Sequence, residues 1–572
     1  MPHRHHLTSL IPAFALRQSL LGERYSSADL LADLLAGITV GVIAIPLAMA
    51  LAIASGVAPQ YGLYTAIIAG IIIAISGGSK LSVSGPTAAF VVLLAPISAQ
   101  YGLGGLLLAT VMSGVILLLM SLMRLGRLIQ YIPEPVTLGF TGGIAIVIAM
   151  LQIKDIFALP IAALPEDFWH KVSTLFHAMP QAQWPSILVA TVTLSVLVFW
   201  PKLTQKLPPH LPAILAGTLC ALALGGVGFD VETIGSRFSF TLDDGTLMAG
   251  IPSVLPSFLL PWELPGVGGE PLTLNWQLIQ NLLPSAMAIA MLGAIESLLC
   301  AVVVDGMTGN RHSANSELFG QGLGNLIAPF FGAIPATAAI ARSAANVRAG
   351  AKSPLAAVFH ALTVLLALVL LAPVLAYIPM ATMAALLLVV AWHMSEAKKS
   401  LHLIRRAHVS DVAVLLTCLI LTVAFDMVIA IGVGIVLASL LLMGQLAAST
   451  RLVALDCGSD TDSPDIEAFR IDGPLFFAAA DNLFSELMHR QNGAPILVLD
   501  WQNVSLLDAG GLSALERTVA WAQKQGREIR IVSVPFQALR ALVKAGVQEK
   551  PGVLSFYPDM SAALKDTVAN TD

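Results

Sequence analysis

Two charged side chains stand where charge is costly. Glu296 is the only charged residue between Asn281 and Val304, and Arg342 the only one between Ile334 and Asn346. Their neighbours are apolar or small, so both belong to segments that favour a low-dielectric medium. An ionisable group there is expensive to keep and marks a functional or paired position. A guanidinium offers a planar fork of donors that fits carboxylates and other oxyanions. A carboxyl in the same medium can exchange a proton near neutral pH. The pair suggests an anion site coupled to protons. Each residue also has a plainer reading. Arg342 could reach an interface or pair a structural acid, and Glu296 could pair Arg342 or a helix end.

The segment carrying Arg342 is broken. Phe331-Gly332-Ala333-Ile334-Pro335-Ala336-Thr337-Ala338 reads as a glycine stop and a short extended piece, and a new short helix follows. Gly77-Gly78-Ser79-Lys80-Leu81-Ser82-Val83-Ser84-Gly85-Pro86-Thr87-Ala88 repeats that plan. Residues before a proline are held away from helix, and Pro86 suits the first turn of a helix over 86–99. Helix starts leave N–H groups unpaired and carry the positive dipole end, which favours an anion. Taken singly, either break is an ordinary kinked helix.

The surrounding elements give the breaks their meaning. Of 572 residues, 56% are hydrophobic and 11% charged, against about 25% charged in soluble domains. Fourteen apolar segments are predicted: 33–54, 60–77, 85–99, 103–123, 134–152, 185–200, 210–227, 278–304, 315–332, 337–350, 354–376, 378–394, 409–425 and 427–447. About 20 such residues cross a bilayer core, so some are too short to cross alone. The broken pieces are the third segment of each set of seven. Seven spans per half, an odd number, invert the second half, and paired breaks at matching positions point to the site of an inverted-repeat transporter. The expected fold is therefore an α-helical polytopic membrane protein with a 7+7 inverted repeat.

Charge gives an orientation. Arg124 and Arg127, Lys202 and Lys206, and Lys398, Lys399, Arg405 and Arg406 fall on the side of both termini. The opposite loop, 228–275, has six acids and one base, Arg237. Positive residues stay inside, so both termini are expected in the cytosol. No cleavable signal peptide is apparent. Residues 1–30 form a cytosolic N-terminal segment and 31–448 the membrane domain. After Arg451, strand-like 466–471, 496–501 and 528–534 alternate with helix-like 479–490, 509–525 and 536–546. That pattern gives a cytosolic α/β domain over 455–572.

Other classes are disfavoured. A net charge of −5 does not argue for nucleic acid. Cys220, Cys300, Cys418 and Cys457 are widely spaced and read as free thiols. The histidines are expected outside the site, so no metal is expected, and no cofactor motif appears. No nucleophile–base constellation suggests an enzyme. Asp33 and Asp426, near span ends, read as structural.

Residues 37–65, 82–90 (SVSGPTAAF) and 293–325, with Ala341-Arg342-Ser343, resemble the SulP family of sulfate-permease-like anion transporters. The resemblance covers nearly the whole chain and implies a UraA/SulP-like division into core and gate domains. It places substrate between the third and tenth spans, at Pro86, Thr87, Ala88, Ile340, Ala341, Arg342 and Ser343. Leu47 and Leu51 of the first span fall where other members carry a glutamine and an aromatic ring, which makes this wall more apolar. Glu296 and Cys300 fall where sodium-coupled bicarbonate members carry Asp and Thr. Losing a hard oxygen ligand at Cys300 argues against sodium and leaves Glu296 for proton coupling. Within the family the chain looks most like the enterobacterial aerobic C4-dicarboxylate transporter. This implies elevator-like, proton-linked uptake of succinate, fumarate, malate or aspartate across a bacterial inner membrane. Bicarbonate and sulfate remain alternatives, as do an anion channel and a regulatory scaffold.

The C-terminal region resembles a STAS domain, the module shared by sulfate transporters and anti-sigma-factor antagonists. Gly510 occupies the place of the antagonists' phosphorylated serine, so that switch is expected to be absent. The helix start after Asp508 stays open to an anion or a cytosolic protein partner. The other expected partners are lipid, protons, a small dicarboxylate and a second copy in a homodimer.

Overall fold

The computed structural model describes residues 10–22, 25–127, 132–161, 164–165, 167–204, 208–241, 247–264, 266, 272–425, 427–455, 466–489 and 494–569. Lys206, Asp426 and Cys457 lie outside them. The chain forms two compact units, Met1–Ile435 and Val436–Asp572.

The first unit is helical. Its elements are α1 (Ser27–Ala54), α2 (Pro59–Ser76), β1 (Ser84–Gly85), α3 (Ala88–Leu122), α4 (Glu134–Ile156), α5 (Phe168–Ala178), α6 (Trp184–Leu203) and α7 (His210–Gly226). A hairpin, β2 (Ser239–Thr241) and β3 (Leu247–Ala249), lies in the acidic loop. Then come α8 (Trp276–Thr308), α9 (Ala314–Ile327), β4 (Thr337–Ala338), α10 (Ile340–Arg348), α11 (Leu355–Leu375), α12 (Met380–Met394), α13 (Ala397–Arg406), α14 (Val409–Ala424) and the start of α15 (Met427–Ser449), which continues into the second unit. Among the described residues, nine helical stretches are long and apolar enough to cross a membrane, one of them counted from Met380 to Arg406 with α12 supplying most of its apolar length. All fourteen expected segments are helical wholly or in large part. Segments 85–99 and 103–123 run on as α3, broken at Gly102, whose φ of 69° and ψ of −173° suit glycine alone.

Close helix contacts rest on small residues. On α1, a Cβ at Gly37 would lie 2.5 Å from the Phe359 Cβ of α11, and one at Gly41 2.7 Å from the Thr363 Cβ. On α4, a Cβ at Gly139 would lie 2.5 Å from the Leu415 carbonyl oxygen of α14, and one at Gly143 2.6 Å from the Thr422 Cβ. Lipid tails are as apolar as leucine, so close backbone approach, rather than hydrophobic burial, holds such pairs. In one bundle α1 packs on α11, α3 on α8 and α9, and α2 on α9; in the other α4 packs on α12 and α14, and α6 on α7. These correspond to the core and gate. Asp33 is structural: its carboxylate accepts from the backbone N–H groups of Lys352 and Ser353, at 2.6 and 3.1 Å, and from the Tyr25 hydroxyl at 2.6 Å.

The second unit is an α/β domain with β5 (Arg451–Ala454), β6 (Ile466–Leu475), α16 (Phe477–Met488), β7 (Ile496–Asp500), β8 (Val504–Leu507), α17 (Ala509–Gln525), β9 (Glu528–Val532), α18 (Phe536–Lys544), β10 (Leu554–Tyr557) and α19 (Met560–Ala569). The sheet runs β10-β9-β7-β6-β5, with β8 also on β6. All pairings are parallel except β5 with β6. Fully buried Trp501, Phe484, Leu499, Leu515 and Ile531 form its core. Strand β5 begins ahead of the expected start at 455, and β8 was not anticipated.

Candidate functional site

The two broken segments meet. β1 and β4 pair antiparallel, Ser84 opposite Ala338 and Gly85 opposite Thr337, as two arms related by inversion must. Each arm then enters a helix, α3 or α10, and neither helix has a side-chain cap. Serine or threonine ordinarily caps such starts. Thr87 occupies the capping position of α3, yet its hydroxyl donates instead to Glu296 Oε2 at 2.8 Å. The first turn begins at Ala88 rather than at Pro86, because strand pairing keeps the chain extended through Gly85 and Thr87 is still extended.

Arg342 joins the arms from the other side. Its Nη2 donates to the Pro86 carbonyl at 2.7 Å, and the side chain is buried. A Cβ on Gly85 would lie 2.8 Å from Nη1, so the guanidinium passes where only glycine leaves room. Among the described residues no salt bridge within 4 Å joins Arg342 to Glu296, yet the two charges face each other closely enough to interact electrostatically. Ser343 is buried; its hydroxyl accepts from Val83 N–H at 2.9 Å and from the Cys300 thiol at 3.2 Å. Ala88 is buried, and Ile340 and Ala341 are exposed, so the start of α10 is open. Leu51 is buried and Leu47 half-buried, one turn apart on α1, which packs against α10.

A polar scaffold on α9 holds the arms, and sequence reasoning missed it. Glu317 accepts from Gly78 and Ser79 N–H groups, both at 2.9 Å. Gln321 donates to Glu317 at 3.0 Å and to the Ser84 hydroxyl at 3.1 Å. Asn325 exchanges hydrogen bonds of 2.8 and 2.9 Å with the backbone of Ala336. The signal was present: these three residues recur every fourth position, on one helix face. A hydroxyl pair at 2.7 Å joins Ser297 of α8 to Thr337 of β4. One histidine, His360, is fully buried on α11 and interacts electrostatically with Arg342, and the glycine face of α1 packs against its backbone.

In the second unit, Asp508 caps α17 by accepting from Gly511 N–H at 2.8 Å, and it also accepts from Phe477 N–H at 3.2 Å. The chain's own carboxylate thus takes one of the N–H groups at this helix start. A Cβ at Gly510 would meet the Phe477 Cβ at 2.4 Å, which leaves no space for a serine there.

Residues 30–420 match the sulfate permease family and residues 461–563 the STAS domain. The putative sulfate transporter YvdB of Bacillus subtilis is 38% identical over 88% of this chain and 91% of its own length. The bicarbonate transporter BicA of Synechocystis is 28% identical over 89% of each. In fold, the chain matches the murine Solute Carrier 26 family member A9 anion transporter in its inward-facing state, with a TM-score of 0.82 at 19% identity, covering 97% of this chain and 94% of that one. The chain belongs to the sulfate permease family: it is a multi-pass anion transporter, not an enzyme, with a C-terminal STAS domain.

Proposed function

We propose that this chain takes up C4-dicarboxylates such as succinate, fumarate, malate and aspartate together with protons, moving core against gate in an elevator-like cycle. The carrying observation is the Thr87–Glu296 hydrogen bond of 2.8 Å at the uncapped start of α3, with Arg342 on the opposing arm. The site thus offers two uncapped helix starts and a guanidinium with spare donors to an anion. It also offers one carboxyl that can carry a proton with it. Substrate contacts fall to Pro86, Thr87, Ala88, Ile340, Ala341, Arg342 and Ser343, and proton coupling to Glu296. Leu47 and Leu51 favour a ligand with a carbon skeleton over a small hydrated anion. The bacterial inner membrane, cytosolic termini and a homodimer complete this reading.

Sulfate is the second reading, favoured by the 38% identity to a putative sulfate transporter. Uptake of labelled succinate into proteoliposomes, with unlabelled fumarate, sulfate and bicarbonate as competitors at two pH values, separates them. Dicarboxylates alone should compete strongly. Succinate uptake abolished by sulfate and untouched by fumarate would favour the second reading.

A further inference from the structure

The connection between α12 and α14 is a helix lying at a membrane face. Glu396, at a left-handed φ of 42°, turns the chain out of α12, and α13 begins at Ala397. At 3.6 residues per turn, Leu401, Leu403 and Ile404 share one side of α13. Lys398, Lys399, His402, Arg405 and Arg406 occupy the other. Both ends run directly into apolar helices, so α13 cannot leave the bilayer boundary. Trp392, Leu401 and Ile404 are exposed and continue the lipid-facing surface there, as interfacial tryptophans do.

Against the first turns of α4 this helix leaves an open cavity of about 550 Å³. Its rim carries Lys398, Lys399, His402 and Arg406, its apolar wall Leu138 and Leu403, and its one acid is Glu134. Lys399 is paired with Glu396. Lys398, His402 and Arg406 have no ion-pair partner among the described residues. An excess of cations over an apolar wall, at the depth of lipid headgroups, fits one kind of molecule. The geometry points to a binding site for an anionic phospholipid, its phosphate on Lys398, His402 and Arg406 and its upper chain along Leu138 and Leu403. The apolar wall and the exposed flank of α13 would serve no purpose for a soluble phosphate. Because α4 also packs on α12 and α14, a lipid held here braces the gate bundle. The site is independent of which anion is transported.

The test uses the full-length protein, delipidated in detergent and examined by native mass spectrometry. Phosphatidylglycerol or phosphatidylcholine of matched chains is added back, with glycerol 3-phosphate as the soluble competitor. One phosphatidylglycerol per protomer should be retained at roughly tenfold lower concentration than phosphatidylcholine. The triple change Lys398→Gln, His402→Gln, Arg406→Gln should abolish that preference. Glu134→Gln should tighten retention by about fivefold, the effect of one charge near a membrane surface. This second variant decides the matter if the triple one does not fold. Equal retention of both lipids by the parent would overturn the assignment, as would an unchanged preference in the folded triple variant. Unchanged retention in Glu134→Gln would also count against it. Displacement by glycerol 3-phosphate at concentrations matching the lipid would instead mark a soluble-phosphate site and equally overturn it.

Discussion

The two arms of the crossing share a backbone and differ in charge. Each runs from a glycine stop through a two-residue strand into an uncapped helix. In the first arm Thr87 turns from its helix to the Glu296 carboxyl. In the second, Arg342 reaches back to the carbonyl of Pro86 in the first arm. One arm therefore handles a group that can carry a proton, and the other a permanent cation. Had both arms carried the same chemistry, the pair would suit simple anion binding. The asymmetry is what suits coupling an anion to a proton.

The second arm should be the more sensitive. Truncating one member of a buried, hydrogen-bonded charge contact costs about 2–5 kcal/mol of binding. Arg342→Ala should therefore lower substrate affinity at least about 30-fold, with Arg342→Lys only partly restoring it, since an ammonium lacks the fork. Equilibrium binding beside a thermal melt checks this; normal affinity in Arg342→Ala would make the arginine a brace only. Gly85→Ala keeps the arginine but puts a methyl 2.8 Å from the position of its Nη1, so the guanidinium must shift. Misplacing the guanidinium should raise KM by about tenfold. A KM within twofold of the parent would show that the arginine need not hold that position.

The first arm should respond more mildly. Thr87→Val keeps shape and removes the donor to Glu296. A net hydrogen bond of about 1 kcal/mol predicts roughly fivefold slower uptake and an altered pH profile. Superimposable profiles would detach Thr87 from the proton path. The smallest effect lies outside the crossing. The Asn503 amide, hydrogen-bonded to Asp472 at 2.7 Å, holds that carboxyl below its ordinary value, with Arg470 at 3.1 Å assisting. A lowered folded-state pKa gives stability that is present above the ordinary carboxylate range and fades as pH falls through the lowered value. Asp472→Asn should thus lower the melting temperature of the STAS unit slightly at neutral pH, by a gap that closes in acid. A gap that widened in acid would contradict that sign.

Much of the crossing was legible in the sequence because it is written in backbone-specific residues. Gly77 and Gly332 each end a helical stretch, Pro86 and Pro335 hold the residue before them out of helix, and the matching positions of the two pairs expose the repeat. The α9 scaffold was harder to see. Glu317, Gln321 and Asn325 make an ordinary polar stripe until the partner backbone is known, and that backbone is about 240 residues away for Glu317 and Gly78. His360 was missed for a related reason. A histidine among apolar residues says nothing about which face it turns inward, and the glycine face that buries it belongs to another helix. Helix α13 was read only as a basic connection, because ten residues with four lysines and arginines and a histidine look like a solvated loop before their spacing is considered. In the STAS domain β5 and β8, each of four residues, are too short to carry a recognisable alternation.

The central claim is that Glu296 couples proton movement to transport while the Arg342 arm binds the anion. Succinate accumulation in proteoliposomes, with and without an inward proton gradient, compared between the parent and Glu296→Gln, tests it most directly. The parent should concentrate substrate only with the gradient. Glu296→Gln should still exchange internal for external substrate while losing gradient-driven accumulation. Accumulation by Glu296→Gln with the parent's response to the gradient would contradict the account.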